Sequence, residues 1–202
     1  MTAPRLGAAP RREGEPLTYA LLPSLQDRVR RRDNARYVGG LRAALGTRVL
    51  GVVTHLTDGP SVASAVSWLD RENSEHPASY HYLIDRDGSI TRTVHPDRIA
   101  WHAGLSRHPA LPYGGASVNA ITVGIAFACG CGTDAAPTTQ RLTAAQLESG
   151  LWLHARTMAD YGVPVSRVLG HREVSPGRKF DPVPCVLDMG AWRAKLAAVR
   201  CA

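Results

Sequence analysis

The sequence predicts an α/β fold: a single domain with one mixed central β-sheet flanked by helices. Three observations carry this. Val49–His55 and Ile121–Ala128 are continuous apolar, β-branched runs of the kind buried on both faces of a sheet. Residues 79–92 read as strand, Asp87-Gly88 turn and second strand. Thr143-Ala-Ala-Gln146 forms a capping box that opens a helical stripe through Leu147, Leu151, Met158 and Tyr161, closed by Gly162. With 202 residues, 44% of them hydrophobic, the chain is long enough for one substantial core and too short for two.

In chain order, residues 1–16 carry Pro4, Pro10 and Pro16 and no hydrophobic period, and are expected to be a disordered basic tail. Residues 17–202 are expected to form the folded domain. Its N-terminal part reads as a helical cover, with Leu21, Leu22, Leu25 and Val29 on one face and a second short helix over Tyr37–Leu45. The Val49–His55 strand leaves His55 at its carboxyl end, the edge of an open α/β sheet where ligands collect. Gly59-Pro60 turns the chain, Ser61 caps, and Val62, Ala65, Val66 and Leu69 share one face of a helix that fades near Asn73-Ser74.

Alternation along the next strand puts Tyr80 and Tyr82 on one face and His81 on the other. Trp101-His102-Ala103-Gly104 opens a loop rich in Gly and Pro that runs to about Asn119, a length that points to function or to disorder. A short strand over Val165–Leu169 delivers His171. Asp188 caps a last helix with Trp192, Leu196 and Val199 on one side.

Of the formal charge of +7, residues 1–48 hold +6, from ten Arg against four acidic residues. A basic head attracts anionic polymers, but no zinc-finger spacing, RNP-type motif or basic heptad accompanies it, so nucleic acid is not expected as a partner. No apolar run reaches a membrane span and no apolar h-region follows the amino terminus, so synthesis in the cytoplasm without a signal peptide is expected. Cys129, Cys131, Cys185 and Cys201 lack a Cys-x2-Cys pair and read as free thiols, with a bridge from Cys185 to Cys129 or Cys131 as the alternative outside the cytoplasm.

The chemistry concentrates in Gly170–Pro182. His171 and Asp181 flank a Pro176-Gly177 turn that brings them back to one point, and zinc accepts both imidazole nitrogen and carboxylate oxygen. Lys179, one of only two Lys among 24 basic residues, sits two positions before Asp181, where a compact ammonium faces a substrate oxygen.

Four segments in this order, Ser79–Gly88, Trp101–Gly104, Val123–Ala126 and Gly170–Pro182, give the chain from about Val49 to Ala198 a resemblance to the zinc-dependent N-acetylmuramoyl-L-alanine amidases. These form the type 2 amidase and peptidoglycan-recognition-protein superfamily, phage endolysins included. The resemblance implies a zinc site at strand ends with His55, His171 and Asp181 as ligands, Tyr80 and Lys179 as catalytic groups, and His102 and Asn119 shaping the substrate groove. It implies hydrolysis of the amide between the lactyl group of N-acetylmuramic acid and L-alanine of the stem peptide, with peptidoglycan or muropeptides as partners and a monomeric protein.

One departure stands out. Many relatives carry Glu as general base where this chain has Ala126, although relatives that use Tyr with Lys also lack it. Glu173 is expected to orient the loop. A peptidoglycan-binding module without catalysis is the first alternative, suggested by Ala126 and opposed by the intact ligand triad. A zinc amide hydrolase of another cytosolic substrate is the second. If a lysin-like protein acts on walls after release, the basic head supplies salt-sensitive attraction that fades as the Debye length falls from about 10 Å at 0.1 M salt to about 3 Å at 1 M. Neutralising Arg28, Arg30, Arg31 and Arg32 together should then abolish pelleting with isolated walls at low salt; a folded variant that pellets like the parent removes the head as an anchor.

Overall fold

A computed structural model describes residues 29–31, 38–70, 77–112, 114–130 and 140–199. In chain order these form β1 (Val29–Arg31), β2 (Val38–Leu41), β3 (Gly51–Leu56), α1 (Val62–Leu69), β4 (Tyr82–Ile84), β5 (Ile90–Arg92) and β6 (Arg98–Ala100). They continue with α2 (Val118–Ile121), β7 (Thr122–Phe127), α3 (Ala144–Tyr161), β8 (Val168–Gly170), α4 (His171–Val174) and α5 (Met189–Ala197). Six strands make one mixed sheet in the order β1-β5-β4-β7-β3-β8, and β2 pairs with β6 in a separate ribbon. β4, β7, β3 and β8 run parallel, while β5 returns antiparallel to β4 through the expected Asp87-Gly88 turn.

Alternation sorts the strand residues into two layers. Val52, Leu56, Ile125 and Phe127 face α3 and α5, where Trp152, Trp192 and Leu196 close the main core. On the opposite face, Leu83, Ala126 and Ala128 meet Val62, Ala65, Val66 and Leu69, the apolar face read from the α1 sequence. Val53 and Leu169 pack with Ala103, Val118 and Ile121 beside them. The caps are also where the sequence puts them: Ser61, Thr143 with Gln146, and Asp188 each accept a backbone N–H, and Gly162 closes α3 at φ 64°.

Three expectations are corrected. Val29 lies in an edge strand parallel to β5, and Val38–Leu41 is a strand where a helix was expected; only Ala43–Leu45 makes a single 3₁₀ turn before Gly46. Gly39-Gly40 is a poor helix segment, and a Cβ on Gly39 would come within 2.8 Å of Ile99 in β6, so this close ribbon pairing is open to glycine. Tyr80 and Tyr82 do not share a face, because the chain bends at His81 before β4 begins: Tyr80 packs with α1 and Tyr82 with the main core. Val165–Arg167 is a 3₁₀ turn, and the strand that delivers His171 starts only at Val168. The expectations for residues 1–16 and for Leu21, Leu22 and Leu25 fall outside the described residues.

Cys129 is buried and Cys185 exposed, both as free thiols; Cys131 and Cys201 are outside the described residues. Among the described residues no helix is long and apolar enough to cross a membrane.

Arg42, counted in the basic head, is a buried strut. Its guanidinium donates to the carbonyls of Pro96 (2.6 Å), Asn119 (3.2 Å), Ala120 (2.5 Å) and Thr122 (2.8 Å), tying the ribbon to the end of α2. Burial lowers its pKa to about 10, and the nearby Tyr161 and Asp97 oppose that shift. At neutral pH it stays charged. Arg42→Met removes the donor and strands buried carbonyls, so it should destabilise the protein by about 3 kcal/mol or more; a urea midpoint equal to the parent's would show that these bonds carry no stability.

Candidate metal centre

Parallel pairing brings the two histidines to one edge of the sheet. β3 lies between β7 and β8, with His55 opposite Ala126 and Thr54 opposite Gly170, so His55 and His171 emerge side by side. Their ring centroids are 4.5 Å apart. α4 turns the chain out of β8, and its first turn is closed by Glu173, whose Oε2 accepts the Gly170 N–H at 2.7 Å. Arg193 of α5 grips Glu173 at both oxygens, 2.9 and 3.0 Å, which is the orienting role expected for that residue. Beyond α4, Gly177 at φ 75° makes the turn read from Pro176-Gly177, and the N–H groups of Arg178 and Lys179 both donate to Ser175 O. The Arg172 N–H then holds the Asp181 carbonyl at 2.6 Å, fixing the carboxylate against the histidines.

Asp181 meets His171 Nδ1 through Oδ1 at 3.0 Å and His55 Nδ1 through Oδ2 at 3.3 Å. One donor atom from each of the three residues lies within 4.8 Å of the others. His55 is fully buried, and the 3.3 Å approach of Asp181 Oδ2 to its Nδ1 is a charge contact without hydrogen-bond alignment. Burial, reinforced by His171, lowers its pKa to about 4, so it presents a neutral imidazole at pH 7. Burial raises the Asp181 carboxyl, but contact with His171 and His55 outweighs that and holds it well below the usual carboxylate range. Two imidazoles and a carboxylate converging on one point are a donor set that could hold a divalent metal ion, and their chemistry fits zinc.

Tyr80 and Lys179 line a cleft of about 520 Å³ together with His171 and Asp181, and the fully buried His55 lies just beneath its wall. The Tyr80 ring lies 5.0 Å from that of His55. His102 and Asn119 are brought to the site from behind: both are buried, neither lines the cleft, and His102 Nδ1 lies 3.1 Å from His55 Nε2. Asn119 Oδ1 accepts the N–H of His102 at 3.2 Å and of Ala103 at 2.8 Å. Sequence reasoning missed Trp68, half-exposed on the cleft wall. Its signal was there to find, as a tryptophan off the apolar stripe of an amphipathic helix.

The model of the N-acetylmuramoyl-L-alanine amidase family matches residues 45–184. The 1,6-anhydro-N-acetylmuramyl-L-alanine amidase AmpD of Salmonella typhimurium (strain SL1344) is 34% identical over 119 residues, which are 59% of this chain and 57% of that protein. The chain thus spans little more than half the length of this curated relative. The fold is similar to that of the Escherichia coli N-acetylmuramyl-L-alanine amidase AmiD in complex with anhydro-N-acetylmuramic acid-L-Ala-D-γ-Glu-L-Lys (TM-score 0.61, 23% identity, 75% of this chain and 58% of that one). It is also similar to that of a mutant endolysin from Bacillus subtilis (TM-score 0.57, 18% identity, 83% and 97%).

The Glu173–Arg193 pair gives the site a pH dependence that is separate from its ligands. Burial raises the Glu173 pKa, but hydrogen bonds from Arg193 and the Gly170 N–H outweigh it and leave the carboxyl below its ordinary range. The pair's stabilisation is therefore complete above the unfolded carboxyl pKa and is lost as pH falls through the lowered one. Glu173→Gln should cost about 1 kcal/mol at pH 7, a difference that shrinks as pH drops below 4.5. Urea titrations showing the same difference at pH 7 and pH 3 would contradict this.

Proposed function

The chain belongs to the N-acetylmuramoyl-L-alanine amidase family, and from that premise we propose that it is a zinc-dependent hydrolase of the amide between the N-acetylmuramic acid lactyl group and L-alanine of the stem peptide. The observation that carries this reading is the convergence of His55, His171 and Asp181 at one point, with His171 and Asp181 sharing a cleft with Tyr80 and Lys179. His55, His171 and Asp181 would hold the ion. Zinc, when bound, lowers the pKa of a water to about 7 and polarises a carbonyl.

The remaining chemistry falls to this chain's own side chains. Lys179 places its ammonium at the developing oxyanion of the lactyl carbonyl, where positive charge matters most in the transition state. Tyr80, beside His55, donates a hydrogen bond or relays a proton toward the leaving amine. No carboxylate assists from β7: Ala126, opposite His55 in register, is fully buried against α1 and Leu83. Proton transfer is therefore assigned to Tyr80.

Soluble 1,6-anhydromuropeptides are the proposed substrate class, supported by the name of the curated relative, and a monomer working in the cytoplasm suits them. The endolysin reading rests on neighbours of low identity that share architecture. The purified protein, with and without a chelator, should be incubated with anhydromuropeptides and separately with isolated walls, and free stem peptide measured by mass spectrometry. Release from the soluble fragments that stops with chelator is expected; release from walls alone would favour the lysin role, and release from neither would end the amidase reading. Lys179→Ala should cut turnover about 10²–10³-fold with zinc content unchanged, whereas a loss explained by missing metal would make Lys179 structural.

A further inference from the structure

We propose that His102 is a positioning residue that fixes the tautomer and ring orientation of the metal ligand His55, and that Asn119 and Gly124 hold it in place to do so. The inference rests on the zinc reading above and extends it to residues behind the ligands.

The direction of each hydrogen bond follows from proton count. Thr122 has one hydroxyl proton, which it donates to the Val118 carbonyl at 2.6 Å. Its oxygen can therefore only accept from His102 Nε2, 3.3 Å away. His102 then carries its proton on Nε2, so Nδ1 is a bare lone pair. That lone pair faces His55 Nε2 at 3.1 Å and accepts its N–H. His55 is left with Nδ1 deprotonated, 3.3 Å from Asp181 Oδ2 and converging with the other two ligands. The relay ends on a carbonyl, which has no proton to give back, so it sets one tautomer and does not shuttle.

His102 has no freedom to do otherwise. Its backbone N–H and that of Ala103 share Asn119 Oδ1, and its ring lies flat over Gly124 of β7, where a Cβ would come within 2.5 Å of His102 Cγ. The next carbonyl, of Ala103, faces His171 Nε2 at 3.4 Å. One dipeptide thus stands behind both histidine ligands. Metal-bound histidines are usually oriented by a carboxylate, a carbonyl or water; here a second imidazole takes that place for His55, with both rings buried.

The test uses the whole chain, stripped of metal, with zinc affinity measured by competition against a chromophoric chelator and histidine tautomers read from ¹⁵N NMR. His102→Phe keeps a ring but no acceptor. It should weaken zinc binding about 10–100-fold and let His55 lose its Nε2–H tautomer. His102→Asn, whose side-chain oxygen stands near the Nδ1 position, should restore most of the affinity, which a merely space-filling role would not. Thr122→Val removes the acceptor that fixes His102 with little change in volume, and it decides the matter if His102→Phe does not fold: several-fold weaker zinc binding supports the relay. A parent that binds no zinc overturns the zinc reading itself. A parent that binds zinc, with His102→Phe or Thr122→Val binding as tightly and His55 unchanged in tautomer, overturns the relay alone.

Discussion

The site depends on the register of β3 between two parallel neighbours. Because side chains alternate, a slip of one residue would carry His55 to the helix side of the sheet and Thr54 to the cleft. The hydrophobic pattern alone guards weakly against this, since β3 is buried along its whole length. A polar contact guards better. Thr54 donates its hydroxyl to His154 Nε2 at 2.9 Å, while His154 donates Nδ1–H to Gly150 O at 2.7 Å, all inside the main core. In a slipped sheet these groups would be buried without partners, a cost of about 1–3 kcal/mol for each. A buried polar pair on one face thereby locates the metal ligand on the other.

How much of this was legible in the sequence depended on the range of the interactions. α1, the Thr143–Gln146 box, the Asp188 cap and the two apolar strands rest on contacts within one turn or one strand, and residue pattern reports those directly. The loop from His171 to Asp181 was legible for the same reason, as Pro176-Gly177 closes it locally. β1 and β2 were not: strands of three and four residues carry too few positions for a period, and their pairing partners lie far along the chain. Arg42 looked like surface charge because the carbonyls it serves are 54 to 80 residues away. His102 and Asn119 were read as shaping the substrate groove, whereas both are buried behind the ligands; the direction of the His102 ring is set by Thr122 and Gly124, and no spacing rule encodes those.

The cleft has a hard floor and an adaptable rim. Beneath it, His55, His102 and Asn119 are buried and held by hydrogen bonds, so they contribute fixed dipoles that need no rearrangement during a reaction. Trp68 is about half exposed on the cleft wall, on the side from which a substrate would arrive. Such a division lets a polar ligand be gripped at its reacting end while its distal parts find their own fit.

The bond from Arg172 N to Asp181 O closes the segment between His171 and Asp181 into a ring, with Lys179 on its circumference. Two electron-pair donors and the ammonium are thus carried on a single small hoop, anchored at one side by the Glu173–Arg193 clasp. They form one mechanical unit: a shift of the hoop displaces all three groups together. Selection acting here meets a ratchet, since changes inside the hoop keep the whole set or forfeit it, and gradual tuning is left to the wall opposite, where α1 and Tyr80 stand on a separate part of the chain.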